Sequence, residues 1–213
     1  NMFNSDVHIA REEIPVADGV PLFIGLDFGL TPAAIFGQKV RGRWLLLQEI
    51  VAFDMGIVRF AELLRQEIAV RYANCDVNIF GDPAGDFRAQ TDESTPFQIL
   101  RGAGLKARPT HSNDVALRLE SVSAPLQRMV DGHSGVLIDY RRMQVSGERY
   151  EDKPSKDRYS HIHDALQYLM LGSGEGRQVM GFKPVQAFNA RVDFDVFNRQ
   201  PKQNRRQGLW SRM

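Results

Sequence analysis

Apolar and polar positions fall into two regimes along this chain. Short apolar runs bounded by glycine or proline predict buried strands. Longer stretches with apolar residues every three or four positions predict helices. Leu22-Phe-Ile-Gly-Leu-Asp-Phe28, between Pro21 and Gly29, is the first strand. Ala33–Val40 and Arg43–Val51 follow, parted by Arg41-Gly42, a tight-turn signal. The three predict an antiparallel meander. Gly56 then precedes a helix to about Tyr72, with Phe60, Leu64 and Ile68 at four-residue spacing. Val77–Gly81 is the next strand, and a helical crossover into it implies right-handed parallel pairing.

Further along, 95–104 predicts a short helix and 105–109 an edge strand that Pro109 ends. Ser112 or Asn113 is an N-cap for a helix to about Val130, kinked at Pro125. A strand follows at 136–139, then a charged hairpin arm over 140–152 around Gly147. Ser160 caps a last helix to about Leu171, and Gly172-Ser-Gly-Glu-Gly176 marks a domain end. This order places the chain in the α/β class: a linker leading in (1–20), one domain (21–172) and a tail (173–213).

Composition narrows the picture. At 213 residues and 43% hydrophobic, the chain can bury one sizeable core. The single cysteine, Cys75, excludes a disulfide framework or a multi-cysteine zinc site and suits a reducing cytoplasm. No apolar run approaches the roughly 18 residues of a membrane span, and no secretory leader is read at the start. The formal charge of +1 argues against bulk electrostatic binding of nucleic acid. It hides an asymmetry, however. Residues 1–176 carry 19 Lys+Arg against 24 Asp+Glu, a net of −5; residues 177–213 carry 8 against 2, a net of +6. The tail is either a solvated segment or an arm for an acidic partner, nucleic acid or protein.

Several chemistries lack their motifs. There is no Gly-x-x-x-x-Gly-Lys-Ser/Thr loop, no Gly-x-Gly-x-x-Gly after a strand and no Gly-x-Ser-x-Gly elbow. Carboxylates are the informative class. Asp27 ends one apolar strand and Asp82 ends another. Either alone could cap a turn. If the strands are parallel neighbours, though, both emerge at their carboxyl ends, where open α/β sheets place ligands. Strands lie about 4.8 Å apart, so the charges need a proton or a cation between them. All-oxygen ligation favours Mg²⁺ or Mn²⁺. In the last helix His161 and Asp164, three apart, share a face distinct from the Ile162, Leu166, Leu169 stripe. Asp164 either complements the helix dipole or joins the two strand-end aspartates. Arg141, Arg142, Arg149, Lys153, Lys156 and Arg158 precede that helix and suit a phosphodiester backbone, or else form a solvated loop.

Three segments together resemble a known family. Phe23-Ile-Gly-Leu-Asp-Phe-Gly-Leu-Thr-Pro-Ala-Ala34, Phe80-Gly-Asp-Pro-Ala-Gly85, and Asp152-Lys-Pro followed by His161-Ile-His-Asp-Ala-Leu-Gln-Tyr-Leu169 are similar to the C-terminal nuclease domain of phage terminase large subunits. The resemblance spans about residues 20–172. It implies an RNase H-like fold: a central mixed sheet of five strands (three antiparallel, then parallel), flanked by helices, with an extra β-hairpin. It also implies an endonuclease that cuts concatemeric double-stranded viral DNA during packaging, in the host cytoplasm.

On the matching positions, Asp27, Asp82 and Asp164 would hold two Mg²⁺ or Mn²⁺ ions, about 3.5–4 Å apart. His161 would assist with protons, being the side-chain type that titrates near neutrality. Asp86 and Asp157 are accessory candidates. The full protein would add an N-terminal ATPase domain, and its partners would be double-stranded DNA, a small terminase subunit and the portal, with no membrane. The tail would be one means of docking on the portal. Two other readings stand beside this one. One is a RuvC-like junction resolvase. The other is an actin- or sugar-kinase-like phosphotransferase, whose first phosphate loop Ile24-Gly-Leu-Asp-Phe-Gly-Leu-Thr31 also resembles.

Overall fold

The computed structural model describes residues 2–29, 31–86, 94–139 and 158–175, with side chains described from Ser160 onward in the last stretch. The predicted hairpin arm and the tail beyond Glu175 lie outside the described residues.

A four-residue helix, α1 (Ser5–His8), comes first. The meander follows as β1 (Leu22–Asp27), β2 (Ala33–Val40) and β3 (Arg43–Val51). The β2–β3 turn has φ of 50° at Arg41 and 84° at Gly42. Two successive positive φ values match the right-handed twist of a two-residue hairpin, which is what Arg-Gly signalled. Helix α2 (Ile57–Arg71) crosses to β4 (Val77–Gly81), which pairs parallel to β1 with Leu26 opposite Gly81.

A 3₁₀ turn (Pro83–Asp86), α3 (Pro96–Gly102) and β5 (Ala107–Pro109) follow. Helix α4 (Val115–Gln127) is capped by Asp114, whose side chain accepts from the Leu117 amide; Pro125 falls in its last turn. Strands β6 (Met129–Val130) and β7 (His133–Ser134) make a small ribbon, and β8 (Val136–Ile138) returns to the sheet. Helix α5 (Arg158–Gly172) comes last among the described elements. It begins two residues before the predicted cap, so Ser160 lies in its first turn.

The sheet has six strands rather than the expected five, in the order β5-β4-β1-β2-β3-β8. Both edges are three-residue strands parallel to their neighbours. Pro109, which lacks an amide, is tolerated because it sits on an edge. The lead-in segment runs along the sheet and buries Ala10, Ile14, Ala17 and Val20. The Gln38 amide, fully buried on β2, holds it: Oε1 accepts from the Ala17 amide and Nε2 donates to the Ala17 and Val20 carbonyls.

Side chains alternate between two cores. One core joins Leu22, Ile24 and Leu26 to Phe60 and Leu64 of α2 and to Phe97 and Leu100 of α3. The other joins Ile35, Trp44 and Leu46 to Val122 of α4 and to Ala165 and Leu169 of α5. Helix α5 crosses β1 at Gly25, where a Cβ would meet the Ala165 carbonyl oxygen at 1.9 Å and the Leu169 amide at 2.6 Å. Only glycine admits so close a backbone approach. Gly25 shares its face of β1 with Phe23 and Asp27, two residues to either side, so Asp27 emerges on the face that α5 covers.

Candidate functional site

Asp27 is the last residue of β1, and Asp82 follows the last residue of β4. The Leu26–Gly81 pairing puts them at adjacent carboxyl ends of the sheet, as the parallel crossover predicted. Because α5 is pressed against Gly25, His161 lies one turn before Ala165 and reaches the end of β1. Its Nδ1 donates to Asp27 Oδ2 at 2.7 Å. Asp164 lies on the same helix and faces α4. Asp82 Oδ1 accepts from the Ala84 amide at 2.8 Å, an Asx turn that opens the 3₁₀ segment.

The electrostatics follow from this placement. The Asp27 side chain is 12% exposed. Burial pushes its carboxyl above the ordinary range, the His161 hydrogen bond opposes that, and the nearby charges of Asp164 and Asp82 push it up further. Asp27 therefore lies in the field of the other two carboxylates, and the imidazole only partly offsets its burial.

Sequence reasoning missed the residues behind the carboxylates. Arg118 of α4 donates through Nη2 to Asp164 Oδ1 at 2.7 Å and through Nε to Gln167 Oε1 at 2.8 Å. Gln167 in turn donates to Asp164 Oδ1 at 3.2 Å. Burial pushes the Tyr168 hydroxyl well above its usual range, and the Asp82 charge and hydrogen bond add to the rise while Arg118 opposes it. An arginine in Val115-Ala-Leu-Arg-Leu-Glu120 carries no signal of this role, since its partners sit on another helix.

Asp86 is exposed at the end of the 3₁₀ turn, outside the groups acting on Asp27. Asp157, Arg141, Arg142, Arg149, Lys153 and Lys156 lie outside the described residues, and only the backbone of Arg158 is described, at the start of α5. Cys75 packs beside Gln38, whose Nε2 lies 3.5 Å from its sulfur, consistent with a structural thiol.

Among the described residues, no group of three or more His, Cys, Asp or Glu side chains is arranged closely enough to hold a metal ion. The donor chemistry nonetheless suits a hard divalent cation. The three acids offer only carboxylate oxygens, the donors such an ion prefers.

The sheet order and the α5 crossover define an RNase H-like fold. More particularly, the chain is similar to solved structures of phage large terminases. The P22 large terminase nuclease domain superposes with a TM-score of 0.54 over 79% of this chain and 89% of that one, at 14% identity. The large terminase of the thermophilic bacteriophage D6E gives 0.58 at 20% identity, over 80% of this chain and 43% of that one. Its complex with ATP-γ-S gives 0.58 at 19% identity, over 79% and 43%. The chain thus spans less than half of the D6E protein. No protein-family model matches the sequence, and no curated protein sequence matches it significantly. Among the described residues, no helix is long and apolar enough to cross a membrane.

Proposed function

We propose that the chain is the nuclease domain of a phage large terminase, a divalent-metal-dependent endonuclease that cuts concatemeric double-stranded DNA during genome packaging. One observation carries this reading. Asp27 and Asp82 stand at adjacent strand ends beneath the His161 and Asp164 face of α5, in a fold shared with the P22 nuclease domain. Asp27, Asp82 and Asp164 would hold two Mg²⁺ or Mn²⁺ ions. Bound divalent ions supply the Lewis acidity that phosphodiester hydrolysis needs.

The chain's own residues do the rest. Asp27, buried and held by His161, fixes the floor of the site. His161 holds a proton at Nδ1 against Asp27 Oδ2 and is the site's candidate for proton transfer. The basic residues from Arg141 to Arg158 would grip the DNA backbone, which positions a duplex without reading its sequence. In the full-length protein an ATPase domain, a small terminase subunit and a portal would be partners, and cutting would occur in the host cytoplasm.

The test is supercoiled plasmid, and separately ATP, each with Mg²⁺, Mn²⁺ or EDTA. Metal-dependent nicking without ATP hydrolysis is expected, with Asp27→Ala and Asp82→Ala folded by circular dichroism but inactive. Full nicking by either variant would overturn the proposal.

A further inference from the structure

Arg118 is the best-connected polar side chain behind the site. Its Nε donates to Gln167 Oε1, Nη1 to Asn113 Oδ1 (2.7 Å) and the Tyr168 hydroxyl (2.8 Å), and Nη2 to Asp164 Oδ1 (2.7 Å). The guanidinium carbon lies 4.6 Å from the Tyr168 ring centroid. The Arg118 side chain is 12% exposed, whereas Asp164 is 37% exposed. A planar fork with fixed donor directions, held at this many points, has one orientation.

Two consequences follow. Both described bonds to Asp164, from Arg118 and from Gln167, fall on Oδ1. With Oδ1 clamped, the direction of Oδ2 is set by the carboxylate plane. A second Arg118 partner, the Tyr168 hydroxyl, itself donates to Asn113 Oδ1 at 3.0 Å, so Arg118, Tyr168 and Asn113 hold one another. One side chain from α4, itself fixed by its neighbours, therefore holds Asp164. Outer-shell partners of this kind orient carboxylate ligands.

We infer that Arg118 is a positioning residue of the site: it clamps Asp164 Oδ1, so that Oδ2 is presented to a divalent cation. The inference rests on the metal-dependent nuclease reading above. A competing effect has the opposite sign, because a fixed positive charge also repels a cation. The two are separable. If the charge dominates, removing it tightens metal binding; if orientation dominates, removing it loosens binding.

The experiment titrates Mn²⁺ into the 213-residue chain, following free Mn²⁺ by electron paramagnetic resonance, with plasmid nicking in parallel and melting in EDTA as the fold control. Wild type is expected to bind Mn²⁺ and nick. Arg118→Gln is expected to bind about 10–100-fold more weakly and to need correspondingly more Mn²⁺ for half-maximal nicking. Arg118→Lys keeps the charge but not the fork, and is expected to stay impaired. Asn113→Ala removes an exposed anchor of the same clamp, keeps the test open if the Arg118 variants unfold, and is expected to weaken Mn²⁺ binding less but in the same direction. Wild-type nicking with unchanged or tighter Mn²⁺ binding in a folded Arg118→Gln, or in Asn113→Ala if that variant must stand in, overturns this inference alone. A wild type that neither binds nor nicks overturns the nuclease reading and this inference with it.

Discussion

At Asp27, burial raises the carboxyl's pKa and the His161 hydrogen bond lowers it. Removing the donor leaves burial unopposed, so His161→Ala is expected to shift Asp27 ionisation to higher pH, read by ¹³C carboxyl titration in EDTA. Glu175 shows the opposite balance. Burial pushes it up, but Arg128, Lys39 and the Trp44 indole outweigh burial and hold it down to about 2, from an ordinary 4.5. A carboxyl with a lowered folded pKa contributes stability above its unfolded pKa and loses it as pH falls through the folded value. The shift corresponds to about 3 kcal/mol, and the side chain is 2% exposed. Glu175→Gln is therefore expected to cost about that much at pH 7, with the gap to wild type closing as pH falls from 4.5 toward 2, measured by urea denaturation.

Between elements, the closest contact is α5 on β1. A methyl at residue 25 would collide with backbone atoms of Ala165 and Leu169, which cannot rotate away. Gly25→Ala is expected to cost at least the upper end of the roughly 1–3 kcal/mol typical of overpacking and to break the His161–Asp27 bond, read by denaturation and by the His161 imidazole NMR shift. The same contact explains what the sequence disclosed. Asp27 and Asp82 could be paired in advance because both end apolar runs, and a helical crossover allows one handedness. Arg118 could not, because its role depends on the packing of α4 on α5, and an Arg among Ala, Leu and Glu reads as a surface position. Glu175 sits in a Gly-Ser-Gly-Glu-Gly stretch that reads as a domain end, yet its partners Lys39, Trp44 and Arg128 come from distant elements. Both short edge strands are legible as apolar runs ended by a turn or a proline; the expected count of five comes from the family resemblance, and the sheet takes up all six predicted runs.

Across the whole chain, charge divides into an acidic body and a basic tail. Removing residues 177–213 changes the formal charge from +1 to −5. If the tail contacts DNA, each phosphate it neutralises adds about 0.9 to the log–log salt slope of binding. Truncation after Gly176 is expected to weaken binding to duplex DNA and flatten that slope, measured by fluorescence anisotropy across a salt series; an unchanged slope would assign the tail to another partner. The placement of α5 also has a consequence in time. The His161–Asp27 bond joins residues 134 positions apart, and the helix that supplies His161 is the last described element. A chain emerging from the ribosome carries both strand-end aspartates long before the element that completes their surroundings. A half-made chain thus holds the carboxylates without their ordering partners, and the assembled centre arises only when synthesis has passed about residue 172.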